Sequence, residues 1–93
     1  MKNWKTKEVK KLVQVIMAMK CENDLQDFLR DLLTLGELDD ISRRWRVAEL
    51  LNQGLTYREI SKQTGHSTAT VTKIAYWVNN GVGGYQKALE KVK

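Results

Sequence analysis

Residues 55–74 predict two short helices separated by a glycine, and no other feature of the sequence constrains the fold as strongly. Thr56 and Glu59 have the spacing of a capping box, in which a hydroxyl and a carboxylate each accept a hydrogen bond from a backbone N–H at a helix start. Gly65 can take the left-handed conformation that ends this helix. Ser67 or Thr68 can cap the next one. The stretch therefore predicts a helix-turn-helix.

The helix-turn-helix lies within residues 55–79. Its second helix has one apolar and one polar face. The apolar residues fall at helical spacing and can pack on the first helix, namely Val71, Ile74 and Val78 against Leu55 and Ile60. The outward face carries mostly short polar side chains: His66, Thr68, Ala69, Thr70, Thr72 and Lys73. Small side chains allow a helix to approach base edges in a major groove about 12 Å wide.

These residue types predict double-stranded DNA as the ligand. Phosphate contacts are expected from Arg58, Lys62 and Lys73 and from backbone N–H groups at the start of the second helix, beside Ser67. The bases would be read by His66, Thr68, Ala69, Thr70 and Thr72, partly through bridging waters. The alternative is a helical protein–protein interaction module in which the hairpin is only a scaffold. Such a hairpin more often carries Glu/Lys pairs on its solvent side.

A chain of 93 residues is expected to form a single domain, 1–93, in which the apolar surface that one copy can bury is marginal. Dimerisation would add buried surface, and Trp45 and Trp77 are expected in the core or in that interface. A monomeric bundle is also compatible with the apolar periodicity. No apolar run reaches the roughly 18 residues of a membrane span, and no signal peptide is recognisable, so a cytoplasmic protein is expected.

Charge is unevenly distributed along the chain. Residues 1–20 contain six Lys and one Glu, residues 21–42 contain one Arg and seven acidic residues, and from Arg43 onward there are nine basic and three acidic residues. A basic helix-turn-helix beside an acidic belt suits a protein with one face toward phosphate. The single His66 and single Cys21 provide no nucleophile or metal cluster, so neither an enzyme nor a metal or cofactor site is predicted.

Six helices and no strands are predicted, and the absence of proline favours this. The first helix is expected over residues 5–20, and the second is expected to be capped by Asn23 or Asp24. A flexible connection is expected over 79–84, followed by a short final helix over Tyr85 to Val92.

The third predicted helix leads directly into the helix-turn-helix. Thr34 and Glu37 form a second capping box at its start. The helix is expected to run to about Gln53, with Gly54 ending it.

The segment Leu33-Thr34…Glu37…Arg44-Trp45-Arg46-Val47, together with the helix-turn-helix, resembles the tryptophan repressor family. The match covers roughly residues 30–78, and the order of six short helices agrees along the whole length. The resemblance implies an all-α, intertwined homodimer with two helix-turn-helix units on one side. It also implies a transcriptional repressor of a palindromic operator, with tryptophan as corepressor between the central core and the recognition helix.

The resemblance also implies a ligand site. Thr34 matches the family's threonine at the start of the third helix, and Arg44 matches the arginine that faces the ligand carboxylate. Where the family has Thr-Arg-Gly-Ser-Asn, this chain has Thr72-Lys73-Ile74-Ala75-Tyr76. Lys73 offers no flat surface for stacking, and the β-branched Ile74 fills volume that an indole would need. Tight binding of tryptophan is therefore not predicted.

Several interpretations of this site stay open at the level of sequence. Thr34, Arg44 and Lys73 can form a pocket for a small ligand other than tryptophan. Trp77 or Tyr76 can fill part of the pocket from within, which would leave a repressor that needs no ligand. Arg44 and Thr34 can also be no more than an inter-helix ion pair and a helix cap.

Overall fold

The computed structural model describes residues 3–93, which form six α-helices and no strands, as predicted. The helices are α1 Lys7–Ala18, α2 Glu22–Leu32, α3 Leu35–Asn52, α4 Tyr57–Thr64, α5 Thr68–Asn80 and α6 Gly84–Lys91. None of the helices in this part of the chain has the length and apolar character needed to cross a membrane. The chain divides into two compact units, Met1–Leu38 and Asp39–Lys93, with the boundary inside α3.

The first unit contains α1 and α2, and neither helix has a buried residue. The Thr6 side chain caps α1 by accepting from the Val9 N–H at 3.2 Å, and Met19 is extended after the last helical residue, so this helix is shorter at both ends than predicted. The prediction that Asn23 or Asp24 caps α2 is wrong. The helix starts earlier, after Cys21, which makes no side-chain capping bond. Asp24 instead lies in the first turn, where a negative charge favours the helix dipole.

The second unit has an apolar core in which α3, α4 and α5 meet. The buried residues that form one cluster are Val47, Ala48, Leu50, Ile60, Val71, Ile74 and Val78. Leu55 packs against this cluster from its edge, so the predicted contact between the two faces of the helix-turn-helix is confirmed. Every fully buried side chain in the described residues is apolar. The polar residues of α4 and α5 are thereby left for the opposite face.

Both predicted capping boxes are present. At α3, the Thr34 N–H donates to Glu37 at 2.9 Å and the Glu37 N–H donates to the Thr34 hydroxyl at 3.1 Å. At α4, the corresponding distances between Thr56 and Glu59 are 2.9 and 3.2 Å. In each box the backbone N–H of the threonine, followed by its side chain, lowers the pKa of the glutamate. Gly54 has a φ of +87° in the turn after α3.

The pKa of Glu59 predicts a pH dependence for the start of the helix-turn-helix. Because folding lowers this pKa below its ordinary value of 4.5, the stabilisation by Glu59 is present above that value and is lost as the pH falls through the folded pKa. Glu59→Ala should lower the Tm at pH 6, and its difference from the unmodified protein should narrow by pH 3. Thermal unfolding followed by circular dichroism checks this, with Glu90→Ala as the control. An equal difference at both pH values would contradict it.

The connection between α5 and α6 is shorter than predicted. The Asn79 side chain donates to the Ala75 carbonyl at 2.9 Å, and the Asn80 side chain donates to the Tyr76 carbonyl at 3.2 Å. Each amide adds a side-chain hydrogen bond to the carbonyl four residues earlier, and α5 continues through both asparagines. The final helix begins at Gly84, directly after a glycine with a φ of +88°.

Candidate nucleic-acid interface

The turn between α4 and α5 is fixed by hydrogen bonds on both sides. Gly65 ends α4 with a φ of +78°, and its N–H donates to the Ser61 carbonyl at 3.0 Å. The Ser61 hydroxyl donates to the His66 carbonyl at 2.6 Å. The Thr64 hydroxyl donates to the Ile60 carbonyl at 2.8 Å. These bonds hold the start of α5 at a defined angle to α4.

Ser67 is the N-cap of α5, which selects one of the two predicted caps. Its hydroxyl accepts from the Thr70 N–H at 3.1 Å and donates to the Thr70 hydroxyl at the same distance. The first turn of α5 contains no acidic residue. Thr68 and Ala69 are exposed in this turn, and helix geometry leaves their N–H groups without a partner inside the helix. A phosphate oxygen could accept from them.

Most of the predicted DNA-binding residues lie on the solvent side of α4 and α5. The exposed members are Arg58, Lys62, Ser67, Thr68, Ala69, Thr72 and Lys73. Thr70 is half-buried. On α5 this arrangement follows from the helix period, because Val71, Ile74 and Val78 take the core side.

His66 does not lie on the exposed face as predicted. It belongs to the turn before α5 and is half-buried, and its Nε2 is enclosed with no hydrogen-bond partner in the described residues. Its carbonyl accepts from Ser61, so the backbone of this residue is part of the turn. The sequence could not show this, because the direction of the ring depends on the packing of the turn rather than on helical spacing.

The threonine hydroxyls of α5 differ in what they can offer to a base. Thr72 donates its hydroxyl proton to the Thr68 carbonyl at 2.8 Å, so its oxygen retains only lone pairs for a ligand. Thr70 accepts from Ser67 and keeps its own proton. In this arrangement Thr72 can accept from an amino group of adenine or cytosine, whereas Thr70 can donate to a ring nitrogen or carbonyl oxygen.

The three residues of the predicted ligand site have separate roles in the structure. Thr34 caps α3 in the first unit, and Lys73 is exposed on α5. The Arg44 Nε lies 3.1 Å from an Asp40 carboxylate oxygen, and its guanidinium carbon lies 5.5 Å from the centroid of the Trp77 ring. The sequence interpretation missed Asp40, although its position four residues before Arg44 is the usual spacing of a helical ion pair.

An apolar pocket of about 440 Å³ lies beside Trp77. Its lining consists of Trp45, Trp77, Gly81, Val82, Gly84, Tyr85 and Ala88. Trp45 is half-buried against the core, as predicted for a core residue, whereas Trp77 remains 42% exposed. Among residues 3–93 no group of three or more His, Cys, Asp or Glu side chains could hold a metal ion.

The family model for the Trp repressor protein matches residues 7–93. YerC of Bacillus subtilis is 36% identical to the chain over 87 residues, which are 94% of this chain and 84% of YerC. The Trp operon repressor homolog of Chlamydia trachomatis is 32% identical over 74 residues, covering 78% of this chain and 79% of the homolog.

A solved structure agrees with this family and with the fold. The crystal structure of a TrpR-like protein from Eubacterium eligens superposes with a TM-score of 0.89 at 35% identity, covering 95% of this chain and 91% of that protein. The six-helix order and the helix-turn-helix are thus shared along nearly the whole length. The chain belongs to the Trp repressor family, a family of DNA-binding transcriptional regulators.

Proposed function

We propose that this protein is a repressor that binds a palindromic DNA operator as a homodimer. The observation that carries this proposal is the exposed face of the first turns of α5, which presents the short side chains of Thr68, Ala69 and Thr72 while the opposite face is buried in the core. Family membership supports the same function. Among the exposed residues from 67 to 72 none is larger than threonine, so the start of the helix can come close to base edges.

Exposed apolar residues in the first unit support the dimer. In α1 and α2, large apolar side chains remain uncovered, including Val13 at 47% and Met17 at 76% exposure. An amphipathic helix with no buried residue needs a partner surface to gain stability from its apolar face. A second copy of the chain supplies that surface in a symmetric assembly. The two copies of α5 would then read half-sites about 10 bp apart.

We assign the DNA contacts to two groups. Arg58, Lys62 and Lys73, together with the N–H groups at the start of α5, contact phosphate and contribute most of the affinity. The second group reads base edges and consists of Thr68, Ala69, Thr70 and Thr72, while Ser67 caps the helix that carries them. We propose that His66 acts mainly through its backbone in the turn, because its ring nitrogen is enclosed.

Substitutions in the two groups should have different effects on DNA binding. Lys62→Ala should weaken binding to all sequences alike and reduce the slope of affinity against salt by about one, because it removes one phosphate contact. Thr72→Val should change which bases are preferred while leaving that slope unaltered. Selection from random duplexes and anisotropy titrations at several salt concentrations measure both effects.

Lys87→Ala in α6 is the matched control, because it removes the same charge at an exposed position outside α4 and α5. It should leave both the salt slope and the base preference unchanged. Failure of the unmodified protein to enrich any palindromic site would contradict the proposed function. It would favour the protein–protein interaction module instead.

A further inference from the structure

Two consecutive arginines of α3 are each fixed by an aspartate one turn earlier. Arg43 lies 2.7 Å from Asp39, and Arg44 lies 3.1 Å from Asp40. The four-residue spacing places each pair on one side of the helix. The ion pairs restrict the orientations that the two guanidinium groups can take, although all four side chains are partly exposed.

These two guanidinium groups approach the turn before α5 and a residue near its carboxyl end. The Arg43 Nη1 lies 3.6 Å from the position that a Cβ atom on Gly65 would take, which is in the turn before the helix. The Arg44 guanidinium lies over the ring of Trp77, near the other end of α5. Two neighbouring side chains of α3 therefore reach the turn before α5 and a residue near its end.

One flat face and the Nε–H of Arg44 are each contacted by a side chain of the same protein. The Trp77 ring lies against the guanidinium at a distance typical of a cation–π contact. The Asp40 carboxylate lies 3.1 Å from the Nε of the same guanidinium group. An external ligand that stacked on this face, or that bound a carboxylate at Nε, would have to displace Trp77 or Asp40. Ile74, only 1% exposed, closes the core side of α5.

We propose that Asp40, Arg44 and Trp77 form an internal clamp that sets the orientation of α5, so that DNA binding requires no small-molecule corepressor. This inference rests on the proposed function, because the clamp positions the helix that reads DNA. Arg44 and Trp77 are positioning residues and make no contact with the bases. The clamp replaces the ordering of α5 that a bound ligand would otherwise provide.

A double-mutant cycle tests the clamp. Arg44→Gln and Trp77→Leu should each lower the affinity for the selected operator about two- to five-fold, as expected for losing a cation–π contact. The double variant should bind no more than two-fold weaker than either single variant, because both changes remove the same contact. Independent, multiplying losses would overturn the proposal.

Arg46→Gln is the matched control for this cycle. Arg46 lies on the same helix and pairs with Glu49 at 3.6 Å, and within residues 3–93 it makes no cation–π contact. It should leave affinity unchanged. The salt slope should be unchanged in all variants, since the clamp touches no phosphate. A reduced slope in Arg44→Gln would show a direct phosphate contact and would contradict a positioning role.

Ligand independence is tested with protein that has been unfolded in guanidinium, dialysed and refolded. Its operator affinity should be within two-fold of that of protein never unfolded, and added tryptophan should change it by less than two-fold. Calorimetry should show no heat of tryptophan binding. Recovery of affinity only after addition of tryptophan or of a low-molecular-weight cell fraction would overturn the proposal.

A spectroscopic measurement separates failure of the clamp from failure of the proposed function. The ring current of Trp77 should shift the Arg44 Nε–H resonance, and Trp77→Leu should abolish this shift without DNA present. If the shift is present but the unmodified protein binds no DNA, the proposed function and the clamp's role in it are both wrong. If DNA binds and the shift is absent, only the clamp is wrong.

Discussion

Ala69→Glu is expected to abolish specific DNA binding while leaving the protein folded and slightly more stable. Ala69 is exposed in the first turn of α5, which contains no acidic residue. A carboxylate there would meet DNA phosphates at short range, which we expect to reduce operator affinity by about 100-fold or more. The same charge lies at the positive end of the helix dipole, which contributes about 0.3–1 kcal/mol to stability. Anisotropy titration and thermal unfolding measure the two effects.

The control for this prediction is Gln26→Glu, which adds the same charge at an exposed position of α2. It should change operator affinity by less than about three-fold through the net charge alone. Comparable loss of affinity in both variants would mean that overall charge, rather than the position of α5, determines binding. Retention of affinity in Ala69→Glu would place the DNA on another surface.

Val13→Asp is expected to dissociate the protein or to prevent its folding. Light scattering should give the unmodified protein twice the chain mass of 10.8 kDa. Covering an apolar side chain contributes about 1.5 kcal/mol or more, so two copies of the substitution should weaken association by about 3 kcal/mol, or more than 100-fold. The buried aspartate adds a desolvation cost to this loss.

Lys11→Asp serves as the control for the dimer prediction, because it introduces the same residue on the opposite face of α1. It should leave the mass at twice that of the chain. A stable, folded monomer of the unmodified protein at micromolar concentration would contradict the dimer. In that case the exposed apolar residues of the first unit would need a different partner.

Features that depend on a few neighbouring residues were predicted well from the sequence. The capping boxes at Thr34 and Thr56 and the left-handed Gly65 each follow from contacts within four residues. The cap of α2 was mispredicted because several polar residues follow Cys21, and helix ends are set by small differences among such candidates. Local chemistry therefore gave the elements more reliably than their exact limits.

Features that depend on distant contacts could be predicted only in part. The steric consequence of Ile74 was visible because its helical position relative to Val71 and Val78 placed it toward the core. The orientation of the His66 ring was not predictable, since it depends on how the turn packs. The contact of Arg44 with Trp77 joins residues far apart in sequence, and the sequence allowed it only as one of several alternatives.

The absence of buried side chains in α1 and α2 has a consequence for how the protein forms. In the proposed dimer the second unit can form its core within one chain. The apolar faces of the first two helices become buried only when two chains associate. The rate of that step rises with chain concentration. At low concentration the first unit would remain open to proteases, so the amount of repressor would affect its lifetime as well as its occupancy of DNA.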